Sequence, residues 1–266
     1  VIIGAGYDTD STAVTGKTYI WSSTINSGRI VIGSNASNLY MEGMQFQGGL
    51  VKTDPDITGF TLIRLKIADI AFTNTGLIPT NASIIQCNIL GDFDINGVRN
   101  SVISNCILRG RIRNSNTNVF KNNIITNESG FGTLANCDTN TFKNNIFSND
   151  YQIADGNCSY NNYQYNIFVQ LTYPLGASET DINNYHEIDL TTIYVNEVGG
   201  DYHLLGDAST TYLGDDGTEV GIYGGLVPFK EGAVPINPHI SQKSIQTTTD
   251  SNGLLNISFT VEAQQN

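Results

Sequence analysis

Two short charged runs share one pattern. Asp92-Phe93-Asp94 and Arg111-Ile112-Arg113 lie nineteen residues apart, each reading charge, apolar, charge. On a strand, alternation sends the middle residue to one face and its neighbours to the other. Phe93 and Ile112 are therefore expected inward, and Asp92, Asp94, Arg111 and Arg113 outward on neighbouring strands. Carboxylates two residues apart on a strand have Cα atoms about 6.5–7 Å apart. That falls within the roughly 5–9.5 Å that separates paired acids in glycoside hydrolysis. The same carboxylates could offer oxygen ligands to a hard cation. Equally, the four residues could form an Asp–Arg ladder that stabilises strand pairing and does no chemistry. Gly130-Phe131-Gly132 and Gln152-Ile153-Ala154 continue the frame, so an open surface is expected beside the charges.

Other chemistry-bearing residues are scattered. Tyr7, Tyr19, Trp21 and Tyr40 cluster near the N-terminal end as aromatics that could stack on sugars, and Tyr19, Trp21 and Tyr40 with Gln152 are the candidates for carbohydrate contact. Their alternative is aromatic stacking within the fold. His186, His203 and His239 have no metal-ligand spacing, and His203 in Asp201-Tyr202-His203 is expected to pack or bond locally. Asp215, Asp216 and Glu219 form an acidic loop, read as a solvated turn ahead of a cation site. Four cysteines without a CxxC supply no zinc or redox spacing, and no metal site is assigned. Cys137 and Cys158, 21 apart, are expected to stack on adjacent coils as buried free thiols; Cys87 and Cys106 read as core.

These residues sit on a repeat. NVFKNNII begins at Asn118, NTFKNNIF at Asn140 and NNYQYNIF at Asn161. Earlier members place anchors at Met41, Ile67, Ile85 and Ile103, ahead of Phe120, Phe142 and Tyr163, a period of about twenty with loose length. Each unit reads as a short strand, an Asn bend and a second short strand, because Asn tolerates left-handed φ and bonds its own backbone. Asn side chains stacked coil on coil can form ladders. One coil cannot bury its apolar side, but a stack can. The Leu skeleton of leucine-rich repeats is missing, and a propeller would repeat at about 40–50 residues. The expected fold is all-β, a parallel β-helix over 1–232 with irregular closing coils from about 174. An extended segment and β-hairpin with an Asn-Gly turn follow over 233–266, either capping the stack or opening a β-sandwich.

Composition narrows the functions. The chain has 266 residues, 31 Asn and 27 Gly, and charged residues make up 14 % against about 25 % in an average domain. A net charge of −12 lacks the basic footprint that phosphates require, so no nucleic-acid partner is expected. No apolar run approaches the length of a membrane span. The strand-like opening VIIGAG at Val1 reads as a mature or trimmed start.

The repeat style from Val1 to about Tyr173, with Gly200-Asp201-Tyr202-His203-Leu204 and Asp216-Gly217-Thr218-Glu219-Val220-Gly221-Ile222-Tyr223-Gly224-Gly225 as a closing segment, resembles the right-handed, pectate-lyase-like β-helix superfamily. Secreted Bacteroidetes-type members are the nearest in style. The resemblance implies the right hand, a monomer, an extracellular, cell-surface or periplasmic place, and a polysaccharide or glycan partner. Polysaccharide binding is the leading function. The alternative is a polysaccharide lyase or glycoside hydrolase at Asp92, Asp94, Arg111 and Arg113. In a lyase the resemblance implies calcium on stacked carboxylates and an arginine as base. The superfamily's clustered-Asp hydrolase motifs are not visible here. A structural or adhesin stalk is the third reading.

Overall fold

Asparagine pairs set the shape of each coil. In Asn122-Asn123 and Asn144-Asn145 the first residue turns the chain and the second ties it to the next coil. The turning residues form a column, Gly43, Arg64, Gln86, Asn105, Asn122, Asn144, Tyr165 and Asn183, all with φ between 52° and 69°. The tying residues are buried. Asn166 Oδ1 accepts from the backbone N–H and from Nδ2 of Asn145, each at 2.9 Å. Asn145 Oδ1 does the same for Asn123, again at 2.9 Å. Asn123 Oδ1 takes the N–H of Cys106 at 2.9 Å, and Cys106 Sγ takes that of Cys87 at 3.3 Å. A second ladder runs from Ser101 through Asn118, Asn140 and Asn161 to Glu179. Backbone N–H groups that would otherwise be orphaned at the corners are thus satisfied inside the protein.

The computed structural model describes residues 1–7, 17–20, 29–33, 35–52, 57–73, 80–127, 132–148, 152–169, 178–231, 234 and 238–262. They form an all-β parallel solenoid. One row of inward residues is Met41, Leu62, Ile84, Ile103, Phe120, Phe142 and Tyr163. A second is Ile67, Ile89, Leu108, Ile125, Phe147 and Phe168. A third face carries the strands Ile30–Ile32, Leu50–Lys52, Ile70–Thr73, Phe93–Asn96, Ile112–Arg113 and Leu134–Ala135. Aromatic rings stack along the interior, Phe120 on Phe142 at 4.8 Å, Phe142 on Tyr163 at 5.1 Å and Phe147 on Phe168 at 4.8 Å.

The register corrects two expected anchors. Ile67 belongs to the second row, and Ile85 turns outward beside the buried Ile84. A one-residue slip exchanges the faces of a strand. Leu62, Leu65 and Ile67 are all buried, so apolarity alone does not choose among them.

A second core lies outside the solenoid. Ile107, Ile124, Ile146 and Ile167 alternate with inward residues and are covered by Leu190, Ile193, Tyr194, Tyr202, Leu204, Ala208, Val220 and Ile222. The strands Tyr194–Asn196 and Asp201–Leu204 pair antiparallel in this layer. The stretch that follows docks on the turning column. Asn105 Nδ2 donates to the carbonyls of Ile222 at 2.9 Å and Gly224 at 2.8 Å. Gly221, at φ 97°, comes so close that a Cβ there would sit 2.7 Å from Ile146 Cδ1.

The antiparallel hairpin joins His239–Ile245 to Ile257–Glu262. Asn252-Gly253 does not join the strands directly; it lies in the intervening loop, where Asp250 Oδ1 accepts from the N–H groups of Asn252 and Leu254. Ile240, Ile245, Ile257, Phe259 and Val261 are exposed, not buried against the stack as a packed hairpin would require.

Candidate functional site

Where the closing layer meets the solenoid wall, a groove of about 400 Å³ opens. The wall supplies Tyr7, Lys66, Asn88 and Arg109; the closing layer supplies Asp201, His203, Tyr223, Phe229 and Glu231. Asp201 and His203 lie two apart on the strand Asp201–Leu204, so alternation puts both on one face while Tyr202 is buried in the second core. His203 Nδ1 is 2.7 Å from Asp201 Oδ1. The imidazole lies flat on Tyr223, centroids 3.8 Å apart. Tyr223 Oη in turn donates to Glu231 Oε1 at 2.7 Å. One ligand-type atom from each of Asp201, His203 and Glu231 lies within 4.8 Å of the others.

The electrostatics follow from these contacts. Hydrogen bonds from His203 hold the Asp201 carboxyl below its usual range. Burial, then the hydrogen bond to Glu231, raises the Tyr223 phenol, which stays a donor. Burial raises nearby Glu219. The groove therefore offers aromatic faces, an amide, two cations and carboxylates, a mixture able to hydrogen-bond and stack on a polyhydroxylated ligand.

The four charged residues expected on one face are brought together on the third face. Phe93 pairs with Ile112 and Asp94 with Arg113, and both apolar residues are fully buried. Arg113 Nη1 is 3.3 Å from Asp92 Oδ2, and the Arg111 N–H donates to Asp92 Oδ1 at 3.3 Å. Asp94 Oδ1 accepts from Asn114 Nδ2 at 2.9 Å. Arg111 fills the surface expected to be open: its Nε donates to the Gly132 carbonyl at 3.0 Å and its Nη2 is 3.5 Å from Asp155 Oδ2. Gly130 and Phe131 lie outside the described residues. Among the described residues the contacts on this face are those of an Asp–Arg ladder.

Among the described residues, Tyr19 and Tyr40 do not converge. Tyr19 pairs with Gln45 and Tyr40 with Thr61, at opposite ends of the strand Tyr40–Phe46. Lys17 Nζ stands 5.3 Å over the Tyr19 ring. Tyr40 Oη donates to buried Glu42 at 2.6 Å, and Arg64 pairs with the same carboxylate. Burial, then that hydrogen bond, pushes Tyr40 up to about 12. Gln152 donates to the Ala154 carbonyl near the charge ladder, and Trp21 lies outside the described residues. The acidic loop is structural: Asp215 binds Lys143 and Asn144, which hold it below its usual range against burial, and Asp216 accepts from Thr218. All four cysteines are buried and free, and burial raises the thiols of Cys106 and Cys137.

The local hydrogen bonding expected of His203 is borne out by its contact with Asp201, but the groove around it has no counterpart in the sequence reading. Lys66 and Arg109 come from separate coils and Tyr223 and Glu231 from the closing layer, and the local signal is the closing segment itself. The fold and groove define a class, a parallel β-solenoid with an outer closing layer. No known protein family, curated protein or solved structure matches the chain. Among the described residues no helix is long and apolar enough to cross a membrane.

Proposed function

We propose that this chain is a secreted or cell-surface glycan-binding protein of the right-handed, pectate-lyase-like kind, acting as a monomer, with its ligand in the groove beneath the closing layer. The observation that carries this reading is the groove's lining, where Tyr7, Tyr223 and Phe229 present rings beside Lys66, Arg109, Asn88 and two carboxylates. Sugar recognition needs apolar faces for the ring and placed polar groups for the hydroxyls. The test is a glycan array followed by titration of any hit. Lys66→Ala and Arg109→Ala should each weaken binding about tenfold, roughly 1.4 kcal/mol, while Arg113→Ala leaves it unchanged. Binding indifferent to both groove substitutions would reject the site.

A second reading, polysaccharide lyase or glycoside hydrolase, draws support from the convergence of Asp92, Asp94, Arg111 and Arg113. Incubation with a polysaccharide panel, with and without calcium, separates the two. Unsaturated calcium-dependent products would mean a lyase, saturated ones a hydrolase, and none would leave binding.

A further inference from the structure

We propose that Asp201, His203 and Glu231 form a binding site for a divalent transition-metal ion of the zinc class. One imidazole and two carboxylates each present a ligand atom, all within 4.8 Å of one another. Nitrogen and oxygen ligands stand about 2.0–2.2 Å from zinc, hence about 3–4 Å from each other. His203 Nδ1 and Asp201 Oδ1, hydrogen-bonded at 2.7 Å, separate to admit the ion, and the widest gap closes from at most 4.8 Å. Two carboxylates give the ligand set negative charge, part of which Lys66 and Arg109 in the same groove offset. An imidazole among the ligands selects zinc, nickel or copper over calcium, which prefers oxygen throughout.

What lifts this group above an ordinary polar cluster is the layer behind it. Tyr223 stacks on His203 at 3.8 Å, which fixes the imidazole plane. Its hydroxyl holds Glu231 Oε1 at 2.7 Å, which orients the carboxylate. One residue therefore positions ligands from two segments far apart in sequence, as outer-shell partners do in metal sites. Three protein ligands would leave a coordination position open, and all three residues line the groove that Lys66 and Arg109 also line. This site stands on its own ligands and does not depend on the glycan reading. It also differs from calcium on stacked carboxylates, which the charged third face was expected to provide.

The test is calorimetric titration of the full chain with zinc, repeated with calcium, together with the visible spectrum on cobalt addition. Saturable one-to-one zinc binding is expected, weaker in acid because protons compete for the ligands. Cobalt should give d–d bands, and calcium should neither bind one-to-one nor displace zinc. His203→Ala should abolish binding and Glu231→Gln weaken it at least tenfold, with circular dichroism unchanged. His186→Ala, outside the cluster, should bind normally. Absence of saturable zinc and cobalt binding, or binding undiminished in a folded His203→Ala variant, overturns the proposal. Glycan affinity measured with a chelator present reports on the groove separately, so either idea can fail alone.

Discussion

Glu179 ends the ladder that Asn161 continues: Asn161 Nδ2 donates to Glu179 Oε1 at 2.9 Å, while Glu179 Oε2 is buried with no hydrogen-bond partner among the described residues. Burial lifts this carboxyl from 4.5 to about 7, against the lowering effect of the Asn161 bonds. A carboxyl whose folded pKa exceeds its unfolded value binds more protons when folded. Its favourable contribution is complete below about pH 4.5 and is lost as pH rises through 7. Glu179→Gln keeps the acceptor and removes the titration. It should flatten the fall in stability over that window and add about 1 kcal/mol at neutral pH, a figure reduced for the residue's partial exposure. Melting curves of both proteins across the window check this, and parallel slopes would reject it.

Asn145 is a fully bonded rung of its ladder. Its side chain serves Asn123 twice and reaches the Phe120 carbonyl and Asn166 Oδ1, all at 2.9 Å. Asn145→Ala leaves the buried Asn123 N–H without its acceptor and removes the side-chain bonds to the Phe120 carbonyl and Asn166, at about 1–3 kcal/mol for the orphaned donor alone. A loss of about 3 kcal/mol or more is expected in urea unfolding. A loss below about 1 kcal/mol would show that water or local shifts replace the rung.

Asn105 fastens the closing layer through two bonds of 2.9 and 2.8 Å to Ile222 and Gly224. Asn105→Gly keeps the left-handed backbone and removes only the amide. Hydrogen exchange should quicken across 213–229 while the solenoid amides keep their protection. Unchanged exchange there would mean that the second apolar core alone holds the layer down.

The Asp92–Arg113 pair is nearly half exposed on both sides, 47 % and 43 %. Exposed pairs contribute about 0.2–1 kcal/mol. Arg113→Ala should therefore shift stability by less than about 1 kcal/mol, read by thermal melting. If the substitution instead abolishes turnover of a polysaccharide, the ladder description gives way to the catalytic one.

Much of the coil is legible in the amino-acid sequence. The dipeptides Asn122-Asn123 and Asn144-Asn145 mark a left-handed residue followed by a ladder residue, and the inward turn of Phe93 and Ile112 follows from strand alternation. Buried free cysteines follow from the period of the repeat. Less legible is the register around Leu62, Leu65 and Ile67, where apolar residues crowd a strand containing left-handed Arg64. Tyr19 and Tyr40 stay apart because the strand Tyr19–Ile20 pairs at the Gln45 end of Tyr40–Phe46 while Tyr40 sits at the other end, a fact of pairing that composition does not carry.

By itself, then, the sequence determined the repeating coil: φ preference, side-chain alternation and the reach of an asparagine amide all act over a few residues and recur in every turn. Only the tertiary structure decided where a ligand could sit. Lys66 and Arg109 meet His203, Tyr223 and Glu231 because the closing layer folds back over Ile107, Ile124, Ile146 and Ile167, and burial of that outer row is a long-range packing event with no local spacing to announce it.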